Sequence, residues 1–250
     1  MSLVDKVVIV TGAARGIGLE YCRALVAQGA HVMAADISAC DEALKLEGPG
    51  KVIAAKLDVA SFASVQAVVA KTIKAFGRID GLINNAALYG TLKSGKFTDI
   101  DEAEWDAAMT INVKGIWNCC RAVVPFMREQ KSGSIVNIAS LAPLYGTPFV
   151  LHYTTSKGAV IGLTTGLARE IGKDNIRVNA IAPTLVMTEG TSQFYGVKTD
   201  RTAEAVKGSQ AIPRSLNASD VTGTALWLIS DASEFVTGQT IRVDGGTIMH

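Results

Sequence analysis

Seven short runs rich in β-branched residues, separated by longer stretches of helical periodicity, constrain this chain more than any other feature. The runs are VVIV (7–10), HVMAAD (31–36), KVIAAKLDV (51–59), GLINNA (81–86), SIVNIAS (134–140), IRVNAIAP (176–183) and QTIRVDGG (239–246). Most are too continuously apolar to keep one face wet, as expected of strands buried on both faces of a parallel sheet. Helical patterns at 16–28, 61–76, 101–130 and 153–172 lie between them, and another at 218–230 precedes the last run. Strands alternating with helices need crossover connections, which build a doubly wound parallel α/β sheet.

A chain of 250 residues, 48% of them hydrophobic, can bury one large core, so a single domain over residues 1–250 is expected. No internal repeat, low-complexity tract or linker divides it. The stretch TEGTSQFYGVKTDRTAEAVKGSQAIPR (188–214) is polar and weakly periodic, the profile of a mobile surface segment or lid.

Charge excludes several partners. With 24 basic and 23 acidic side chains and no block of like charge, the chain has no basic stripe for nucleic acid and no polybasic membrane patch. A small molecule is the expected partner. The start MSLVDKVVIV lacks a charged segment followed by a cleavable apolar one, and no apolar run approaches the roughly 18–20 residues that span a bilayer. Cys22, Cys40, Cys119 and Cys120 have neither CxxC spacing nor the density of a disulfide scaffold. Reduced thiols and a cytoplasmic location are therefore expected.

The first chemical motif is VVIVTGAARGIGLE. A strand runs into Gly12, and Gly16 and Gly18 open a helix, so backbone N–H groups and the positive helix end converge on a site suited to a diphosphate. The spacing is Gly-x3-Gly-x-Gly, and a glycine turn alone is weak evidence. Asp36 strengthens it: ending the second strand about 20 residues on, its carboxylate can accept both hydroxyls of an adenosine ribose and would repel a 2′-phosphate. NAD is thus expected over NADP, although Arg15 inside the turn could pair with such a phosphate.

From about residue 3 to residue 248 the chain resembles the short-chain dehydrogenase/reductases, a family of Rossmann-type fold. The resemblance rests on TGAARGIG (11–18), Asp58-Val59, NNAA (84–87), Asn112, Ser140, Tyr153-x3-Lys157 and APTLVMT (182–188), in that order. It implies hydride transfer between a nicotinamide and a carbonyl or alcohol. By the same resemblance Ile17 and Ile37 belong with the glycine turn and Asp36 in the cofactor site. Asp58 and Val59 would contact the adenine, and Asn85, Ala86 and Ala87 would line the cofactor near its ribose. Pro183, Val186 and Thr188 would flank the nicotinamide. Two positions depart from the family pattern: Ala87 and Thr184 stand where glycine is usual. The family also implies a homotetramer, with helices 101–130 and 153–172 packing against symmetry mates.

Oxidising a secondary alcohol removes a hydroxyl proton as hydride leaves, and a tyrosine of pKa about 10 is a poor base at neutrality. Lys157, one helical turn from Tyr153, and an oxidised nicotinamide are two cations that could lower it. A lowering by about 2–3 would correspond to roughly 3–4 kcal/mol of preference for the phenolate. Lys157 would also hold the ribose. Ser140, at a strand's carboxyl end, could hydrogen-bond the substrate oxygen. Asn112 resembles the family residue that kinks its helix and holds a water joining the lysine to solvent. A non-catalytic nucleotide-binding scaffold would be expected to have lost Tyr153, Lys157 or Ser140, and all three are present.

Other tempting residues are set aside. His152 abuts Tyr153, but adjacent helical residues diverge by about 100°, so it is expected to line the pocket or face solvent. His31 and His250 have no ligand-spaced partner, and no metal is expected. Cys119-Cys120 reads as packing, and no Gly-x-Ser-x-Gly elbow suggests a serine hydrolase.

Residues expected within reach of a carbonyl above Ser140 and Tyr153 are Leu88, Tyr89, Leu141, Ala142, Leu144, Tyr145, Pro148, His152 and Leu185. Phe194 and Tyr195 join them from the lid. The set is mostly apolar, favouring a hydrophobic secondary alcohol or ketone. APTLVMT, SQAIPR and VDGGTIMH are similar to segments of aryl-alcohol members of the family, such as 1-phenylethanol dehydrogenases. The alternatives are a 3-oxoacyl-(acyl-carrier-protein) reductase and a polyol or sugar dehydrogenase.

Overall fold

The computed structural model describes residues 2–249; Met1 and His250 lie outside the described residues. Among the described residues nine strands are formed: β1 (Val7–Thr11), β2 (His31–Asp36), β3 (Val52–Lys56), β4 (Gly81–Asn84), β5 (Gly133–Ile138), β6 (Ile176–Pro183), β7 (Val186–Met187), β8 (Leu216–Asn217) and β9 (Thr240–Val243). Seven make one sheet in the order β3-β2-β1-β4-β5-β6-β9, every neighbouring pair parallel. The doubly wound sheet inferred from the alternating pattern is the one observed.

Continuous apolarity in the strands serves two cores. Along β1, Val8 and Val10 face one side with the Gly16–Ala27 and Thr222–Ile229 helices. Ile9 faces the other with the Phe62–Phe76, Gly115–Gln130 and Leu151–Ile171 helices. At about 2 kcal/mol for each fully buried aliphatic side chain, Val7, Val8, Ile9 and Val10, none more than 2% exposed, contribute on the order of 8 kcal/mol. One polar substitution at Val8 or Val10 would place an unpaired group in a dry layer.

Several boundaries differ from the sequence reading for local reasons. The run 239–246 stops at Val243 because Gly245 and Gly246 take positive φ (62° and 81°). The runs 51–59, 81–86 and 134–140 also end early, which places Asp58, Asn85 and Ser140 on the loops beyond the strands' carboxyl ends. Helix 153–172 begins two residues earlier, at Leu151, and 218–230 opens as a 3-10 turn, Ala218–Val221. Helix 101–130 is not uniform: Glu102–Met109 and Gly115–Gln130 are joined through a π-helical segment, Thr110–Lys114. The stretch 188–214, weakly periodic in sequence and expected as a mobile surface segment or lid, holds two helices, Glu189–Tyr195 and Thr199–Ser209. Thr188 caps the first by accepting the N–H of Thr191 at 3.3 Å.

Strand order reverses at β1 and β4, so the connections diverge there and leave a crevice beyond the strands' carboxyl ends. No helix among the described residues is long and apolar enough to cross a membrane.

Candidate active site

The crevice is floored by the glycine turn. The Thr11 hydroxyl accepts the N–H groups of Asn85 and Ala86, each at 3.0 Å. The Asn85 amide in turn donates to the carbonyls of Thr11 and Gly12, each at 3.1 Å. This clamp brings the loop after β4 so close that a Cβ on Gly12 would press on the Ala86 backbone, and the turn itself is so tight that one on Gly18 would run into the Gly12 carbonyl. Gly16, at φ 57°, is different: a Cβ there would meet nothing nearer than Thr188 at 3.8 Å. The Gly16–Ala27 helix has no side-chain cap. Its first N–H groups therefore remain available to an anion in the space between Gly16 and Thr188.

Asp36 closes the turn from the side, Oδ2 accepting the N–H of Ala14 at 3.0 Å and Oδ1 that of Ser38 at 2.9 Å. Ile37 beside it is exposed. Arg15 reaches across the crevice, its Nη1 3.1 Å from Glu189 Oε1. Asp58 and Val59 follow β3, Asp58 exposed and Val59 buried with its carbonyl accepting from the Asn118 amide at 2.9 Å. Ala87 and Thr184 have no positive φ, so the missing glycines impose no backbone strain. A cradle that excludes side chains, an uncapped helix end and a carboxylate at the ribose edge fit a dinucleotide.

Ser140 lies two residues beyond β5, its Oγ accepting the N–H of Ala142 at 3.1 Å. Tyr153 and Lys157 share the first turns of the Leu151–Ile171 helix, with Lys157 Nζ 5.9 Å from the Tyr153 ring centroid. Lys157 is 3% exposed and donates to the Ile138 carbonyl at 2.7 Å. Burial lowers its pKa to about 8. The Tyr153 phenol is pushed up to about 12 by burial, against which a hydrogen bond with Ser140 acts. The acidification expected from Lys157 is not present in the protein alone: burial outweighs the Ser140 hydrogen bond, and the ammonium donates to the Ile138 carbonyl.

Asn112 sits in the π segment, fully buried. Its Oδ1 accepts the Leu88 N–H at 2.7 Å, and its Nδ2 donates to the Leu88 carbonyl at 3.1 Å and to Ser156 Oγ at 3.0 Å. Ser156 donates to the Tyr153 carbonyl at 2.8 Å. Asn112 thus reaches the helix of Tyr153 through Ser156, a link with no signature in the sequence. A widened turn at such a place is a frequent mark of a functional site.

These elements enclose a cavity of about 400 Å³. Of the sequence-predicted residues, Ile17, Asn85, Ala87, Ser140, Ala142, Tyr145, Tyr153, Lys157, Pro183, Leu185, Val186, Thr188, Phe194 and Tyr195 line it, with Tyr89 and Leu141. The remaining glycine-turn residues, Asp36, Asp58 and Val59 do not line it. Leu88, Leu144, Pro148 and His152 do not line it. Leu144 is exposed, Leu88 is turned to Asn112, and His152 is buried behind Tyr153 rather than facing pocket or solvent. Tyr89 stands between Tyr153 (ring centroids 5.0 Å apart) and Phe194 (4.8 Å, stacked), and Phe194 meets Tyr195 edge-on at 4.8 Å.

Thr202, Ala205, Val206 and Ser209 also line the cavity. Their i, i+3, i+4, i+7 spacing is a helix face, legible in principle but masked by polar side chains. Thr147, Val150, Thr191 and Thr247 line it too, with no sequence signal.

A doubly wound sheet with a dinucleotide cradle and a Ser–Tyr–Lys cluster at its carboxyl edge defines a nucleotide-dependent oxidoreductase. Residues 12–248 match the family profile described as Enoyl-(Acyl carrier protein) reductase. A 3-oxoacyl-(acyl-carrier-protein) reductase of Thermotoga maritima is 38% identical over 253 residues, covering 100% of both chains. A probable galactose dehydrogenase of Rhizobium meliloti is 34% identical, covering 97% of this chain and 94% of that one. The crystal structure of levodione reductase superimposes with a TM-score of 0.91 at 32% identity, covering 97% of each chain. The chain belongs to the short-chain dehydrogenase/reductase family, oxidoreductases that use a nicotinamide cofactor.

Proposed function

We propose that the protein interconverts an uncharged, hydrophobic secondary alcohol and its ketone with NAD(H), an arylalkyl compound being the best fit. The observation that carries this reading is the cavity lining: among the described residues, Lys157 is the only charged one there. That leaves no described cation besides Lys157 to pair with a substrate carboxylate or phosphate. Tyr89, Leu141, Leu185, Phe194 and Val206 offer apolar and aromatic surface instead.

A nicotinamide held at this site would supply or accept the hydride. Tyr153 would exchange the proton with the substrate oxygen, Ser140 would donate a hydrogen bond to that oxygen, and Lys157 would hold the ribose hydroxyls of the cofactor. Burial keeps the Tyr153 phenol protonated near neutrality, the form needed to protonate a ketone oxygen during reduction. Asp36 favours NAD, and the ion pair of Arg15 with Glu189 engages the cation that could otherwise have met a 2′-phosphate. Asn112 supports the site through Ser156, and helices 189–195 and 199–209 act as its lid.

The test is a screen of aryl, cyclic, polyol and hydroxyacyl substrates followed by NADH absorbance, with Tyr153→Phe as control. Turnover of aryl or cyclic alcohols with NAD, lowered by about 10²–10⁴ in the variant while NADH still binds, is expected. A second reading, 3-oxoacyl thioester reduction, is favoured by the full-length likeness to the Thermotoga maritima enzyme. Turnover confined to thioesters would select it.

A further inference from the structure

His152 is fully buried and has no place in the chemistry above. The Leu151–Ile171 helix has no side chain from Val150 to cap it, so the amide groups of its first turn need other partners. His152 supplies one: its Nδ1 accepts the N–H of Tyr153 at 2.9 Å. A ring nitrogen that accepts leaves the neutral imidazole's proton on the other, Nε2.

Nε2 is buried without a hydrogen-bond partner, and it faces Glu104 Oε2 at 4.0 Å. The other oxygen of Glu104 accepts the N–H of Lys93 at 2.6 Å. Glu104 belongs to the Glu102–Met109 helix, which packs on the helix of Tyr153. One carboxylate thus holds the 93 loop and stands behind the imidazole, and the front of the imidazole holds the backbone of Tyr153.

We infer that His152, with Glu104 behind it, is a positioning residue that fixes the backbone of Tyr153 and so the place of its phenol. The inference rests on Tyr153 as the proton-exchanging group. The side chain touches neither the cavity nor the reacting atoms, so it acts through its neighbour. Displacing a proton donor by a fraction of an ångström to an ångström costs roughly 10- to 100-fold in rate without altering the binding of the other partner.

The experiment compares His152→Leu, His152→Asn and Glu104→Gln with wild type on whichever substrate is turned over, reading kcat, KM, NADH affinity and melting temperature. His152→Leu, which cannot accept the Tyr153 amide, should lower kcat by about 10- to 100-fold with NADH affinity within about twofold of wild type. His152→Asn offers an acceptor oxygen of the type that suits a helix start and should recover most of that loss. Glu104→Gln keeps an acceptor for Lys93 but removes the charge facing Nε2, and should lower kcat by about threefold. Unchanged kcat in His152→Leu overturns the inference, as does an equal loss in the Leu and Asn variants that tracks their melting temperatures. If His152→Leu does not fold, the Asn variant must still keep at least half of wild-type kcat and Glu104→Gln must still lose activity, or the inference fails. Should Tyr153→Phe retain activity instead, the fault lies with the assignment of the proton donor and not with His152.

Discussion

Replacing Lys157 with methionine should make the apoprotein more stable while abolishing turnover. Lys157 is 3% exposed and its pKa falls from an ordinary 10.5 to about 8 through burial. At about 1.4 kcal/mol per pH unit, that interval corresponds to about 3 kcal/mol spent on keeping the ammonium charged inside the fold. Methionine has similar length and no charge, and Tyr153 is neutral, so no buried anion is left without a partner. The loss of the 2.7 Å bond to the Ile138 carbonyl offsets about 1 kcal/mol.

The net gain near neutrality is about 2 kcal/mol, or about 4–8 °C in melting temperature for a chain of this size. Its pH dependence has a definite sign. Below pH 8 the lysine is charged in both folded and unfolded states and the penalty is complete. Between pH 8 and 10.5 the folded protein loses the proton first and the penalty fades, and above 10.5 it is gone. Only the lost hydrogen bond then remains, so at pH 11 the variant should be less stable than wild type by about 1 kcal/mol. The assay is thermal denaturation of cofactor-free wild type and variant at pH 7 and pH 11, with NADH turnover measured at pH 7. A variant melting at or below wild type at pH 7, or a difference unchanged at pH 11, would refute the buried-charge argument. Active sites often hold groups at a cost to stability, and this lysine is placed as one of them.

Two further outcomes test the cofactor and assembly proposals. Asp36→Asn removes the charge that would repel a 2′-phosphate while keeping one acceptor for the Ala14 or Ser38 amide. The ratio of kcat/KM for NADP over NAD should rise by roughly tenfold, corresponding to about 1.4 kcal/mol, and an unchanged ratio in steady-state assays with both cofactors would remove Asp36 as the discriminating group. A homotetramer is proposed, and sedimentation equilibrium at micromolar concentration should return about four times the 26.2 kDa chain mass; a stable monomer would refute it.

Much of the site was legible because its parts are tied to backbone events that leave a residue signature. A turn that excludes a Cβ demands glycine, which is why Gly12 and Gly18 announce it. A pair four apart on a helix shares a face, which is why Tyr153 and Lys157 belong together. The helices of the 188–214 segment were not legible for the opposite reason: Thr202, Ala205, Val206 and Ser209 keep helical spacing, but hydroxyls and small side chains carry too weak an apolar contrast to declare it. His152 was misplaced because the divergence of neighbours on a helix says where a side chain leaves the axis, not which helix lies there to bury it.

The chain's own pattern determined the parallel sheet, since strands dry on both faces and separated by helices admit few other arrangements. It also determined the chemistry available at the crevice, because only certain side chains can take a proton or face a ribose. Tertiary structure alone decided the protonation balance of Tyr153 and Lys157. That balance depends on how much water the surrounding elements exclude and, for the phenol, on the hydrogen bond with Ser140. It likewise decided that Asn112 reaches Tyr153 through Ser156, and that Glu104 stands behind His152. These contacts join residues 44 and 48 positions apart, and no local periodicity records where two distant helices meet.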